Sequence, residues 1–162
     1  MTKRLVVLLV LAIVASAAAP APASAEGSKL SIGYAYLKSL EEGGGSVPTG
    51  GFVSFAPGDD SGIELDFGYH KDDDVNNFTG GLGIRFPLGS GESVQPFLHV
   101  LGAASHIRFG GESDTDFGGI AGVGADLGVG ESLMIRLGAD LQVFFDSGDN
   151  YKRLRLGIGL TF

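Results

Sequence analysis

The sequence predicts an all-β fold: eight antiparallel strands in up-and-down order closing into a barrel, behind a cleaved signal peptide. Three observations predict it. Apolar residues recur at every second position in segment after segment, the period of a strand whose successive side chains point to opposite faces. The 28 glycines lie within these segments, with no G-x-y repeat. The connections between segments alternate between short turns and longer acidic stretches.

The first 25 residues read as the signal peptide and residues 26–162 as the barrel domain. Lys3 and Arg4 form a basic start, Leu5 to Ala19 is an apolar run, and Ala23-Ser24-Ala25 supplies the small-x-small pattern of a peptidase site. A membrane-spanning helix needs about 20 apolar residues, which this run does not reach. Cleavage after Ala25 removes two basic residues, making the exported chain more acidic than the formal −8 of the whole. Such a charge fits nucleic acid poorly. The chain has no Cys, so it forms no disulfide, thiolate metal site or thiol nucleophile. No later apolar run reaches helix-spanning length, so any membrane insertion must use closed β structure.

The first strand is Ser28 to Lys38, with Leu30, Ile32, Tyr34 and Tyr36 on one face and Ser31, Gly33 and Ala35 on the other. Ser39 to Val47 is a loop by its glycines and charges. Pro48 to Ala56 is the least regular strand, read with Val53 and Phe55 outward, and Pro57 to Gly62 is a tight turn. Gly62 to His70 sets Ile63, Leu65, Phe67 and Tyr69 against Glu64, Asp66, Gly68 and His70, and Lys71 to Asn77 follows as an acidic loop. Phe78 to Leu88 sets Phe78, Leu82, Ile84, Phe86 and Leu88 against Thr79, Gly81, Gly83 and Arg85, before the Gly89 to Ser93 turn.

Val94 to Ser105 carries Val94, Leu98 and Val100 against Gln95 and His99, although Phe97 and Leu101 intrude on the polar side. His106 to Asp116 reads as the longest loop. Phe117 to Val129 alternates Phe117, Ala121, Val123, Ala125, Leu127 and Val129 with Gly118, Gly122, Gly124, Asp126 and Gly128. After the Gly130 to Ser132 turn, Leu133 to Phe145 sets seven apolar residues against Arg136, Gly138, Asp140 and Gln142, and Asp146 to Asn150 is the last loop. The final strand, Tyr151 to Phe162, places Leu154, Leu156, Ile158, Leu160 and Phe162 opposite Arg153, Arg155, Gly157, Gly159 and Thr161. These lengths suit tilted strands, which need about 9–11 residues to cross a bilayer. An even strand count returns both termini to one side.

Alternation alone does not say which face is inside. Size does: one phase holds nearly all the bulky side chains, the other is Gly, Ser and Thr with a few charges. An eight-stranded interior is just wide enough to be filled by side chains, so the small phase belongs inside. That choice encloses Glu64, Asp66, Asp126 and Asp140 with Arg85, Arg136, Arg153 and Arg155, four acids against four bases. Opposite signs fall on neighbouring strands: Glu64 and Asp66 beside Arg85, Asp126 beside Arg136, and Asp140 beside Arg153 or Arg155. A narrow lumen demands such pairing, because an unpaired buried charge is costly. The expectation is a structural ion-pair core and no continuous wide pore.

The alternating last strand, its terminal Phe162 and the strand count resemble the bacterial outer-membrane β-barrel proteins, specifically the eight-stranded barrels of the OmpA transmembrane domain and OmpX type. The resemblance implies a transmembrane β-barrel of the Gram-negative cell outer membrane with both termini periplasmic. It implies Phe162 as the signal read by the barrel assembly machinery during insertion. It further implies contact with outer-membrane lipid and lipopolysaccharide, a monomeric state, no cofactor, and a structural or surface-interaction role with an extracellular partner met through the loops.

Some eight-stranded relatives of that kind modify lipid A. Here Ser105 and His106 are adjacent in sequence near Glu112, but neighbouring strand residues point to opposite faces and do not meet as nucleophile and base. No catalytic residue and no metal site is therefore assigned. His70 and His99 read as hydrogen-bonding fillers. The acidic runs Asp72-Asp73-Asp74, Glu112 to Asp116 and Asp146 to Asp149 lack calcium-loop spacing. Gly122-x-Gly124 precedes no helical pattern, and Asn77-Phe78-Thr79 is a glycosylation sequon by spelling only. Three alternatives stand beside the structural role: a lipid A-modifying enzyme, a small-solute channel, and a soluble periplasmic lipocalin-like barrel, against which the absence of Trp counts.

Overall fold

The computed structural model describes residues 27–41, 46–47, 49–58, 62–72, 75–89, 93–146 and 150–162. The signal-peptide reading of residues 1–25 and the acids Asp73, Asp74 and Asp149 lie outside them. The strands are β1 (Lys29–Ser39), β2 (Ser46–Val47), β3 (Thr49–Ala56), β4 (Ile63–Asp72), β5 (Val75–Pro87), β6 (Val94–Phe109), β7 (Glu112–Gly128), β8 (Leu133–Phe144) and β9 (Asn150–Thr161). Both β2 and β3 pair with β1, so these nine segments make eight staves. The register against β1 shifts by one residue between the pairs Tyr34↔Gly51 and Leu37↔Val47.

Each strand pairs antiparallel with the next in sequence, and β1 pairs with β9 from Lys29↔Thr161 to Ser39↔Tyr151. Reciprocal backbone bonds between Ser28 and Phe162, 3.0 Å each, extend that seam. The cylinder is an eight-stranded antiparallel up-and-down barrel with no open seam. One end, the terminal end, carries Ser28 and Phe162 together with the last residues of β3, β5 and β7; the opposite end is the loop end.

Burial settles the two faces. Leu156, Ile158 and Leu160 are 55%, 60% and 50% exposed, whereas Arg153 and Arg155, on the alternate positions of the same strand, are 0% and 3% exposed. The same inversion runs round the barrel, with Ile32, Ile63, Leu82, Val100, Val123 and Leu137 all exposed. A continuous apolar belt of this extent is foreign to a soluble surface and is the lipid-facing band of a membrane barrel. In β3, Val53 and Phe55 face outward while Phe52, Ser54 and Ala56 are buried, as read from the sequence.

Two expected loops are strand. His106 to Asp116 is the tip of a hairpin in which β6 and β7 stay paired up to Phe109↔Glu112. The polar composition of ESDTD suggested a loop, but Gly110 and Gly111 have φ of 57° and 96°, the left-handed conformation of a two-residue hairpin turn. Likewise most of Lys71 to Asn77 is ladder, since β4 runs to Asp72 and pairs with β5 down to Asp72↔Val75.

Candidate functional site

Alternation sends one phase of every strand into the lumen, and the ionic members of that phase meet there. At the level nearest the termini, Arg85 Nη2 donates to Asp126 Oδ2 at 2.6 Å. Arg136 donates to the same carboxylate from Nε at 2.7 Å and from Nη2 at 3.0 Å. Phe97 of β6 takes both guanidinium groups against its ring, with Arg85 Cζ 3.9 Å and Arg136 Cζ 5.2 Å from the centroid. This explains an apolar residue in the polar phase: the ring face attracts two like-charged groups that share one carboxylate. Lys29 joins from β1, donating to Gln95, with Nζ 4.0 Å from Asp126.

Further along, Arg136 donates to Ser54, which shares a 2.8 Å bond with Ser31, and Arg136 Nη1 lies 3.7 Å from Glu64. His99 stands between two carboxylates, Nδ1 3.1 Å from Glu64 Oε2 and Nε2 2.9 Å from Asp140 Oδ1. Arg153 lies 2.6 Å from Asp66 through Nη1 and donates to Asp140 through Nε at 2.7 Å. Arg155 makes the same two contacts, each at 2.9 Å, and its Cζ is 5.3 Å from the Phe52 ring. A Cβ at Gly122 would overlap Asp140 and His99, so the barrel wall must be bare where the network touches it.

All eight expected lumen charges are buried and in ionic contact. Asp126 meets Arg136, and Asp140 meets Arg153 and Arg155, on the neighbouring strands named for them. Arg85 is different: it pairs with Asp126 and not with Glu64 or Asp66, which turn to Arg136 and His99 and to Arg153 and Arg155. A lumen this narrow lets an arginine reach across it, so strand adjacency does not fix the partner. Sequence reasoning missed Lys29 and Asp116, both buried. Each lay in the inward phase, but one sat at the first strand's edge and the other inside the misread loop. The described buried ions are thus five acids and five lysine or arginine bases.

Toward the loop end the lumen changes character. Leu101, Ala103, Ile120 and Phe144 form an apolar cluster with Tyr151 packed against it. Ser105 Oγ donates to Asn77 Oδ1 at 2.9 Å, and Asp146 N donates to Asp116 Oδ1 at 3.0 Å. His70 is fully buried, yet neither ring nitrogen has a hydrogen-bond partner among the described residues, so the filler role expected for it lacks its bond. His106 is on the opposite face from Ser105, with Nδ1 2.8 Å from Thr115 Oγ1 and its Nε2 accepting from Arg108 at 3.2 Å. Ser105 and His106 are thus committed to different partners on different faces.

The barrel resembles solved structures of Neisserial surface protein A, the attachment invasion locus protein Ail of Yersinia pestis, and the N-terminal barrel domain of Pseudomonas aeruginosa OprF. The TM-scores are 0.69, 0.63 and 0.64 at 16%, 16% and 17% identity, covering 84%, 85% and 83% of this chain and 97%, 99% and 97% of the others. Identities this low speak for the fold alone. No curated protein matches the sequence. The sequence profile of the outer membrane protein beta-barrel domain matches residues 6–162, so a closed barrel with an apolar belt and an ionic interior has its family: this chain is an outer-membrane β-barrel protein of that domain family.

Proposed function

We propose that this protein is a small structural and surface-interacting outer-membrane barrel whose lumen is closed by ion pairs and which performs no enzymatic step. The observation that carries the reading is the crossing of the lumen by Arg153, Arg155 and Asp140. Arg153 and Arg155 of β9, held by Asp140 of the adjacent β8, reach Asp66 of β4 at 2.6 and 2.9 Å. Filling by paired ions supports a plug over a water channel, since mobile solutes would have to displace groups that hold one another. Against a lipid-modifying enzyme stands the separation of Ser105 from His106. Both termini are periplasmic in this reading, and the β6–β7 hairpin, with exposed Glu112 and Asp114 near its tip, meets the outside as a monomer's contact surface for an extracellular partner. Phe162, its backbone paired to Ser28, serves as the terminal signal for the assembly machinery.

Planar-bilayer recording on the refolded protein tests the plug. The expected record is a bilayer without sustained porin-sized steps. Steady steps of porin size overturn the closed lumen and leave the small-solute channel as the reading.

A further inference from the structure

His99 projects into the lumen with an acid at each ring nitrogen. It is 1% exposed, with Nδ1 3.1 Å from Glu64 Oε2 and Nε2 2.9 Å from Asp140 Oδ1. A neutral imidazole has one N–H and one lone pair, and an ionised carboxylate has no hydrogen to donate. A neutral ring therefore satisfies only one of two ionised carboxylates. The two contacts together require one proton more than neutral imidazole and ionised carboxylates bring.

The surroundings place that proton on the ring. On β8, Asp140 accepts from Arg153 Nε at 2.7 Å and lies 2.9 Å from Arg155 Nε, so it is ionised. Arg155 Nη2 stands 3.3 Å from His99 Nε2, but it donates to the same Asp140 Oδ1 at 2.9 Å, which sets one oxygen between two donors. On β4, Asp66 is taken up by Arg153 and Arg155. Glu64 is served less well: its Oε1 has no hydrogen-bond partner among the described residues. Arg136 of β8 comes within 3.7 Å of it, which favours its ionised form, but donates instead to Asp126 of β7 and Ser54 of β3. Arg85 of β5 and Lys29 of β1 also gather at Asp126. At the level of His99, then, Glu64, Asp66 and Asp140 face Arg153 and Arg155. An imidazolium supplies the missing positive charge. The wall of β7 beside the ring is bare, at Gly122.

From this we infer that His99 is a proton-operated clasp: as an imidazolium it ties Glu64 to Asp140, and release of its proton to solvent base unfastens one of them and loosens the lumen. In the ring of eight staves β4 and β8 lie opposite one another with β6 midway, so the clasp spans the barrel. Without the proton, a nitrogen lone pair faces a carboxylate oxygen. That contact repels. Above about pH 6.5 an imidazole in the unfolded chain is neutral. Folding then takes up one proton, and the unfolding constant rises about tenfold per pH unit. The effect on leakage rests on the closed lumen proposed above, whereas the proton rests on the ring contacts alone.

Three measurements on the barrel refolded into phosphatidylcholine vesicles test the clasp. The first is nitrogen-15 resonance of the imidazole rings at about pH 7.5, above the ordinary imidazole range, with the His99 signals assigned by their loss in His99→Gln. Both ring nitrogens should carry hydrogen; a lone-pair nitrogen on His99 overturns the inference. The second is urea unfolding from about pH 7 to 8.5, where lysines stay charged. The unfolding constant of the parent should climb more steeply than that of His99→Gln by about tenfold per pH unit, and equal slopes overturn the inference. If His99→Gln does not fold, the resonance of the parent and its own slope decide. The third is potassium efflux over the same range. The parent should leak more at the alkaline end and His99→Gln equally at both, and efflux from the parent that ignores pH overturns the clasp. Porin-sized steps at neutral pH would instead deny the closed lumen, and the resonance and the slope would still judge the proton.

Discussion

Two levels of one lumen are held together by opposite chemistry. The level toward the termini is ionic: Asp126, Glu64, Asp66 and Asp140 interlock with Arg85, Arg136, Arg153, Arg155 and His99. The level toward the loops is built round an apolar cluster, Leu101, Ile120 and Phe144 packed under Tyr151, with uncharged polar pairs such as Ser105 and Asn77 beyond it. Both are enclosed by the same wall, so the difference lies in how each responds to a missing side chain. In the ionic level a deletion strands a charge that cannot reach water. In the apolar level it leaves a void that neighbours partly fill.

The comparison breaks most visibly at Asp140, which touches His99, Arg153 and Arg155. Asp140→Ala leaves two guanidinium groups with Asp66 alone and is expected to cost about 3–5 kcal/mol, the range for breaking a buried ion pair by removing one partner. Urea unfolding in vesicles measures it. Asp140→Asn, which keeps acceptor capacity and shape, should fall between the two. A loss below about 1 kcal/mol for Asp140→Ala, the worth of an exposed pair, would mean that water enters the ionic level freely.

Leu101→Ala tests the other level. The side chain is 1% exposed and packs on Ile120 and Phe144, so the cost should be about 2 kcal/mol or slightly more, the lower end for a buried Leu→Ala change. Bilayer recording separates the levels further. Asp140→Ala should raise ion leakage by loosening the paired ions, while Leu101→Ala should leave it unchanged. Equal leakage from both would place the barrier in the apolar cluster.

The two levels were not equally legible. Arg136 with Asp126 and Asp140 with Arg153 follow from alternation, because neighbouring staves carry opposite charge at matching depth. Arg85 was misassigned because its guanidinium reaches past β6 to Asp126 on β7, and a partner two staves away leaves no trace in strand order. The apolar level was only half visible: Leu101 appeared as a break in pattern, and Ile120 and Phe144 went unremarked among glycines and polar residues of their phase. The β6–β7 hairpin was misread because polar composition was given more weight than Gly110-Gly111, the two residues whose φ the turn requires. The clasp at His99 needed the closed barrel, since Glu64 and Asp140 lie two staves from β6 on either side and meet its ring only when the wall shuts.

Phe97 belongs to neither level by type, an apolar residue 0% exposed in the middle of the ions. If its ring serves the guanidinium groups of Arg85 and Arg136, then Phe97→Leu, which keeps an apolar side chain there but removes the π face, should cost about 1 kcal/mol, within the range for cation–π contacts in partly desolvated sites. If Phe97 serves only as filling, its loss should be indifferent to charge. A double-mutant cycle with Arg85→Met decides, because the two costs add when ring and guanidinium are independent and fall short of adding when they interact. Additivity within about 0.3 kcal/mol would make Phe97 an outlying piece of the apolar level; a clear shortfall would make it part of the ionic one.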